Sequence, residues 1–108
     1  MTWNERLIAA LTSVTTSVSH GSRLRSDRYV VWQEDGSRSL PADDRHTARV
    51  VTGSVDLYTK LEFDPWGDQI AAALDAAEGI AFEEIGADFE EETGFWHRSW
   101  DWEVVSGG

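Results

Sequence analysis

The chain contains no cysteine, so no disulfide framework can staple it and no thiolate can hold a metal. That absence leaves the compartment open but suits a reducing cytoplasm. Cations are scarce: nine Lys and Arg stand against twenty Asp and Glu, for a net charge of −11. No apolar run approaches the roughly 18 residues a membrane helix needs, so no membrane association is expected. Met1 to Val14 includes Asn4, Glu5 and Arg6 rather than a basic region followed by an apolar one, and does not read as a signal peptide. There is no glycine-rich phosphate loop and no Gly-x-Ser-x-Gly turn. The three histidines, His20, His46 and His97, lie far apart, and no His-x-x-x-His or Asp-x-Asp spacing occurs.

What is present is organised around Gly53 to Asp68. Val55, Leu57, Thr59 and Leu61 alternate with Asp56, Tyr58 and Lys60, the period of a half-buried strand. Asp64 then precedes Pro65. An Asp that can accept from free N–H groups, followed by a Pro that has none to offer, is a strong helix start. Trp66, Ile70, Ala73, Leu74 and Ala77 form the apolar stripe of that helix, and Gly79 ends it. Upstream, Thr2-Trp3-Asn4-Glu5 fits a capping box, and Trp3, Leu7, Ala10, Leu11 and Val14 recur at helical spacing.

Ser17 to His20 reads as a short edge strand, residues 23–28 as an Arg-bearing loop, and Tyr29 to Glu34 as a strand closed by Asp35-Gly36. Residues 36–46 read as a long polar loop, and Thr47 to Leu61 as one strand with a bulge or bend at Gly53. The last thirty residues suggest a hairpin with Thr93-Gly94 as a two-residue turn, so that Glu92 faces Phe95. That register gives a greasy face of Ala87, Phe89, Trp96, Trp100, Trp102 and Val104, with Glu91 near enough to Arg98 to pair. The opposite face carries Asp88, Glu90, Glu92, His97, Asp101 and Glu103. The expected fold is α+β: a two-layer sandwich with an antiparallel or mixed four- to five-stranded sheet and two helices on one face. It forms one domain over residues 1–105, with 106–108 as a flexible tail.

The charge is unevenly placed. Residues 1–54 hold six acids and seven Lys or Arg; residues 55–108 hold fourteen acids and two. An acidic chain lacks the cations that neutralise duplex phosphates, whereas its two unlike halves offer complementary surfaces to a neighbouring copy. His97 with Glu90 or Glu92 has donors for a divalent cation, and carboxylate pairs are plentiful. Fourteen acids in half a chain create such pairs by chance, however, and no nucleophile stands beside a base, so no cofactor, metal or enzyme activity is expected. Six tryptophans are many for so small a core. Trp3 and Trp66 fit helix stripes, while Trp32, Trp96, Trp100 and Trp102 are divided between core and interface.

Several runs together resemble a known family: Tyr29-Val-Val-Trp-Gln-Glu-Asp-Gly, then Ala42-Asp43-Asp44, then Gly53 to Pro65, then Glu90-Glu-Glu-Thr-Gly-Phe-Trp-His97 before Trp100-Asp-Trp-Glu-Val. In order and spacing over residues 29–105 they are similar to the small tail-terminator, or tail-completion, proteins of long-tailed bacteriophages and prophages. The resemblance implies a non-enzymatic virion protein, assembled in the host cytoplasm. It would form a hexameric ring at the head-proximal end of the tail, between the tail tube protein and the head–tail connector, with DNA passing through the lumen unbound. In such a ring Trp32, Arg49, Tyr58, Lys60, Trp96, Arg98 and Trp102 are expected to join subunits. Asp88, Glu90, Glu92, Asp101 and Glu103 would face the lumen, and Arg23, Arg25, Arg28, Arg38, Asp43, Asp44 and Arg45 would meet partners. The alternatives are a related neck or minor tail protein, or a monomeric acidic inhibitor such as an immunity protein or DNA mimic.

Overall fold

A computed structural model describes residues 1–41 and 47–106. Helix α1 spans Trp3–Thr12. Its first turn is closed as the sequence implies: the Thr2 hydroxyl donates to Glu5 Oε1 at 2.8 Å, and Glu5 N–H donates to Thr2 Oγ1 at 3.4 Å. Its last turn ends where the Thr12 and Ser13 hydroxyls bond back to the carbonyls of Ile8 and Ala10. Helix α2 spans Pro65–Ala76, and Asp64 Oδ1 accepts the Trp66 N–H at 2.9 Å.

The strands are β1 (Val18–His20), β2 (Arg28–Pro41), β3 (Thr47–Thr59), β4 (Ile80–Glu90) and β5 (Phe95–Ser106). They form one sheet in the order β1-β2-β3-β5-β4, with β1 parallel to β2 and every other pair antiparallel. The fold is therefore α+β, two helices on a five-stranded mixed sheet. One face is covered by Leu7 and Leu11 of α1 and Ile70 and Leu74 of α2. Beneath them lie Val30, Trp32, Val55, Leu57, Trp100, Trp102 and Val104. Each large side chain buried in this way contributes about 1.5–3 kcal/mol. Trp3 stacks on Trp102 at 5.7 Å and meets Trp32 edge-on at 6.2 Å. The indole N–H groups of Trp100 and Trp102 find no acceptor among the described residues.

The strands are longer than their apolar patterns imply. Residues 36–41, expected in a loop, continue β2, pairing from Gly36 opposite Thr52 to Pro41 opposite Thr47. Residues 36–39 are exposed, so pairing with β3 and not burial of their side chains holds the segment. The rest of the expected loop, residues 42–46, lies outside the described residues. The expected bulge at Gly53 is instead on the partner strand, where the register shifts between Glu34 and Gly36. Gly53 answers a different demand, close approach. A Cβ there would lie 2.1 Å from the Gln33 carbonyl oxygen and 2.3 Å from the Trp102 ring.

The C-terminal hairpin also departs from expectation. Glu90, not Glu92, faces Phe95, and the turn holds residues 91–94. A shift of two residues preserves the faces, so Ala87 and Phe89 still share a side with Trp96 and Arg98. It removes the expected Glu91–Arg98 pair: the Arg98 Nε bonds Glu84 at 2.8 Å and its Nη1 reaches Asp68 at 3.5 Å. Strand β4 begins seven residues before the expected start at Ala87, because a second shift between Glu84 and Gly86 breaks its alternation in two. At the C-terminus β5 reaches Ser106, paired with Arg49, one residue into the expected tail. No helix among the described residues is long and apolar enough to cross a membrane.

Candidate assembly surfaces

Two arginines fix the loop between β1 and β2. Because β1 runs parallel to β2, the chain must return to the start of β2, and residues 21–27 do so across the face without helices. Arg23 anchors the near side. Its Nε donates to the Tyr29 hydroxyl at 3.0 Å, its Nη2 donates to Glu90 at 3.1 Å, and its guanidinium lies 4.0 Å above the Tyr58 ring. Arg28 anchors the far side, its Nε donating to Asp64 Oδ2 at 2.7 Å and its guanidinium 3.6 Å above the Trp66 ring. Asp64 thus caps α2 and pairs with Arg28 at once. Burial alone would raise its carboxyl, but the bonds from Arg28, Thr59 and Trp66 outweigh that and hold it below its ordinary value. Between the anchors, Leu24 and Arg25 are exposed.

The open face continues as an aromatic and acidic surface. Tyr58 stacks between Tyr29 and His97, with Phe95 edge-on to both tyrosines. The His97 Nε2 lies 2.7 Å from Asp56 Oδ1, and Ser99 donates to the same oxygen at 2.6 Å. The bond to Asp56 raises His97 above its ordinary value, while that bond and Ser99 overcome burial to lower Asp56. This Ser, His and Asp set is not a nucleophilic relay. A relay needs the imidazole between serine and carboxylate, one nitrogen to each; here the same Nε2 faces both Asp56 Oδ1 at 2.7 Å and Ser99 Oγ at 3.0 Å, and the serine hydroxyl donates to the carboxylate directly.

On the helix face, where α2 starts, the cover gives out and leaves a groove of about 640 Å³. Leu57, Ala87 and Trp96 line it, with Leu61 and Phe63 on its rim; Phe63 is 90% exposed and Leu61 50%. Phe89, 44% exposed, packs at a tilt of 49° against Trp96 nearby, ring centroids 4.6 Å apart. The walls carry Glu62, Asp68, Glu84 and Asp88. Arg98 crosses the floor beneath Gly67, where any Cβ would meet its guanidinium at 2.0 Å.

These surfaces sort the expected residues. Trp32 and Trp102, expected to join subunits, are 5% and 1% exposed and belong to the core, which corrects that reading: the helices need those indoles to fill the space above Gly53. Tyr58 and Lys60 are engaged within the chain, Lys60 bonding the Thr93 carbonyl and lying 4.0 Å from the Phe95 ring. Trp96 and Arg98 border the groove. Arg49 bonds Ser37 at 2.6 Å, and Arg38 bonds Glu103 at 3.1 Å. Asp88, Glu90, Asp101 and Glu103 share the open face and Glu92 lies in the turn, but Glu90 and Glu103 are matched by Arg23 and Arg38. Asp43, Asp44 and Arg45 lie outside the described residues. Sequence reading missed Leu61 and Phe63 as a surface. The expected alternation carried Leu61 onto the buried face of the strand, but β3 stops at Thr59, so Leu61 and Phe63 stand exposed on either side of Glu62 before α2.

A five-stranded mixed sheet with two helices on one face places the chain among small α+β domains. No protein-family model and no curated protein sequence matches the chain. Among solved structures, it is similar to a chain in the virion of a native gene transfer agent (GTA) particle. The likeness covers 99% of this chain and 92% of that one, with a TM-score of 0.56 and 15% identity. At that identity it establishes shared fold.

Proposed function

We propose that this chain is a structural protein of a phage-like virion, and within it a terminator-type protein that forms a hexameric ring at the head-proximal end of the tail tube. The observation that carries the reading is the likeness of fold, over nearly the whole length of both chains, to a component of a gene transfer agent virion. The resemblance of residues 29–105 to tail terminators supports the finer role. The ring stops tube growth, contacts tube protein below and connector above, and passes DNA without holding it. The acidic margin of the open face along β4 and β5, with Glu83, Asp88 and Asp101, looks toward the lumen and repels phosphate. A heterologous ring needs two different faces per subunit, and the sheet has one apolar, grooved face and one polar face. A DNA mimic is less supported, because Arg23 and Arg38 already occupy carboxylates that would have to imitate phosphates.

The test is sedimentation velocity across a concentration series, with and without magnesium, followed by electron microscopy of tails assembled without the chain. A discrete closed species and tubes of uncontrolled length are expected. A monomer under all conditions together with tails of normal length would overturn the role.

A further inference from the structure

We infer that the groove beside α2 receives the Leu24-Arg25 tip of the β1–β2 loop of a second copy; this rests on the ring reading and supplies its contact. Three observations converge. Leu61 and Phe63 expose an apolar rim that nothing in the described residues covers, and Phe63 at 90% exposure is an expensive residue to leave in water unless something docks there. Of the groove's carboxylates, Asp64 is matched by Arg28, Glu84 and Asp68 share the one guanidinium of Arg98, and Asp88 turns to His97 on the open face, which leaves Glu62 and the half-matched Asp68 as the negative wall. The loop tip presents the complement, one apolar side chain and one guanidinium, both exposed, on a segment pinned at either end by Arg23 and Arg28. A pinned loop loses little further freedom on docking.

The placement also suits a ring. Loop and groove sit at the same end of the sheet, where Arg28 pairs with Thr59 and Glu90 with Phe95, but on opposite faces. A copy stacked face against face brings one to the other, and the contact repeats head to tail, as a closed ring requires.

Because the chain lacks cysteine, a disulfide can be read without background. Leu24→Cys and Phe63→Cys replace exposed side chains and leave the core alone, which circular dichroism verifies. Mixed under mild oxidation, the two variants form a crosslinked heterodimer and neither forms a homodimer. The double variant forms a ladder that ends at one closed species, and Arg25→Glu in the Leu24→Cys chain lowers the heterodimer yield at least fivefold. If the wild-type chain assembles but the mixed variants do not crosslink, or a Leu24→Cys homodimer forms instead, the docking is wrong while the ring stands. If neither assembly nor crosslinking occurs, both fail.

Discussion

The two faces of the sheet hold together by different means. On one, Leu7, Leu11, Leu57, Ile70, Leu74 and Trp100 are wholly buried, and their stability comes from area removed from water. On the other, Tyr29, Tyr58, Phe95 and His97 stack around Arg23 and a row of carboxylates, and stability depends on charge, geometry and pH. The same strands serve both, since alternate residues point opposite ways. The difference shows how an acidic chain remains well packed: its carboxylates stand on the open face and around the groove rather than in the core, and Arg23, Arg38 and Arg98 pair with some of them.

Substitutions can break this comparison, beginning with the covered face. Leu57→Ala should lower stability by about 3–4 kcal/mol in urea unfolding, because a fully buried side chain of the core cluster leaves a cavity. Asp64→Ala should cost about 2–3 kcal/mol, since it removes a helix cap and leaves a partly buried Arg28 without its carboxylate. Gly53→Ala should cost about 2 kcal/mol or more, as the Trp102 ring and the Gln33 carbonyl cannot both retreat.

The open face should respond to pH more than to volume. His97 is raised in the folded state, so its contribution is complete below its unfolded value of about 6.5 and fades as pH climbs through the raised one. Asp56 is lowered, so its contribution is complete above its unfolded value and fades as pH falls through the folded one. Thermal melts of wild type should therefore lose stability on the alkaline side, and His97→Gln should flatten that limb; an unchanged limb would show that the pair is not formed. The smallest effect belongs to Arg38→Gln, whose exposed bond to Glu103 should be worth no more than about 0.5 kcal/mol.

Where side-chain chemistry acts within a few residues, the sequence was legible. Thr2 with Glu5, and Asp64 with Pro65, announce both helix starts, and alternation from Val55 to Thr59 names the buried face of β3. Strand length was not legible at 36–41, because the segment is held by backbone pairing with β3 while residues 36–39 stay exposed and leave no alternating apolar trace. The hairpin register was missed for a related reason: a slip of two preserves every face, and the break at Ile85 resets the alternation so that Ile80 to Glu84 look unrelated to Ala87 and Phe89. For the candidate surfaces, the loop arginines were identifiable by type, but which of them are spent internally was not.

What the sequence alone determined is the local program: two capped helices, alternating strands, an acidic half and an Arg-bearing loop, each set by neighbours along the chain. Only the tertiary structure decided that Trp32 and Trp102 are core, that Arg23 and Arg28 pin the loop while Arg25 is exposed, and that Phe63 stands exposed beside a groove. Those outcomes depend on which residues distant in the chain share a face, and that is set by register and packing, which no local spacing encodes.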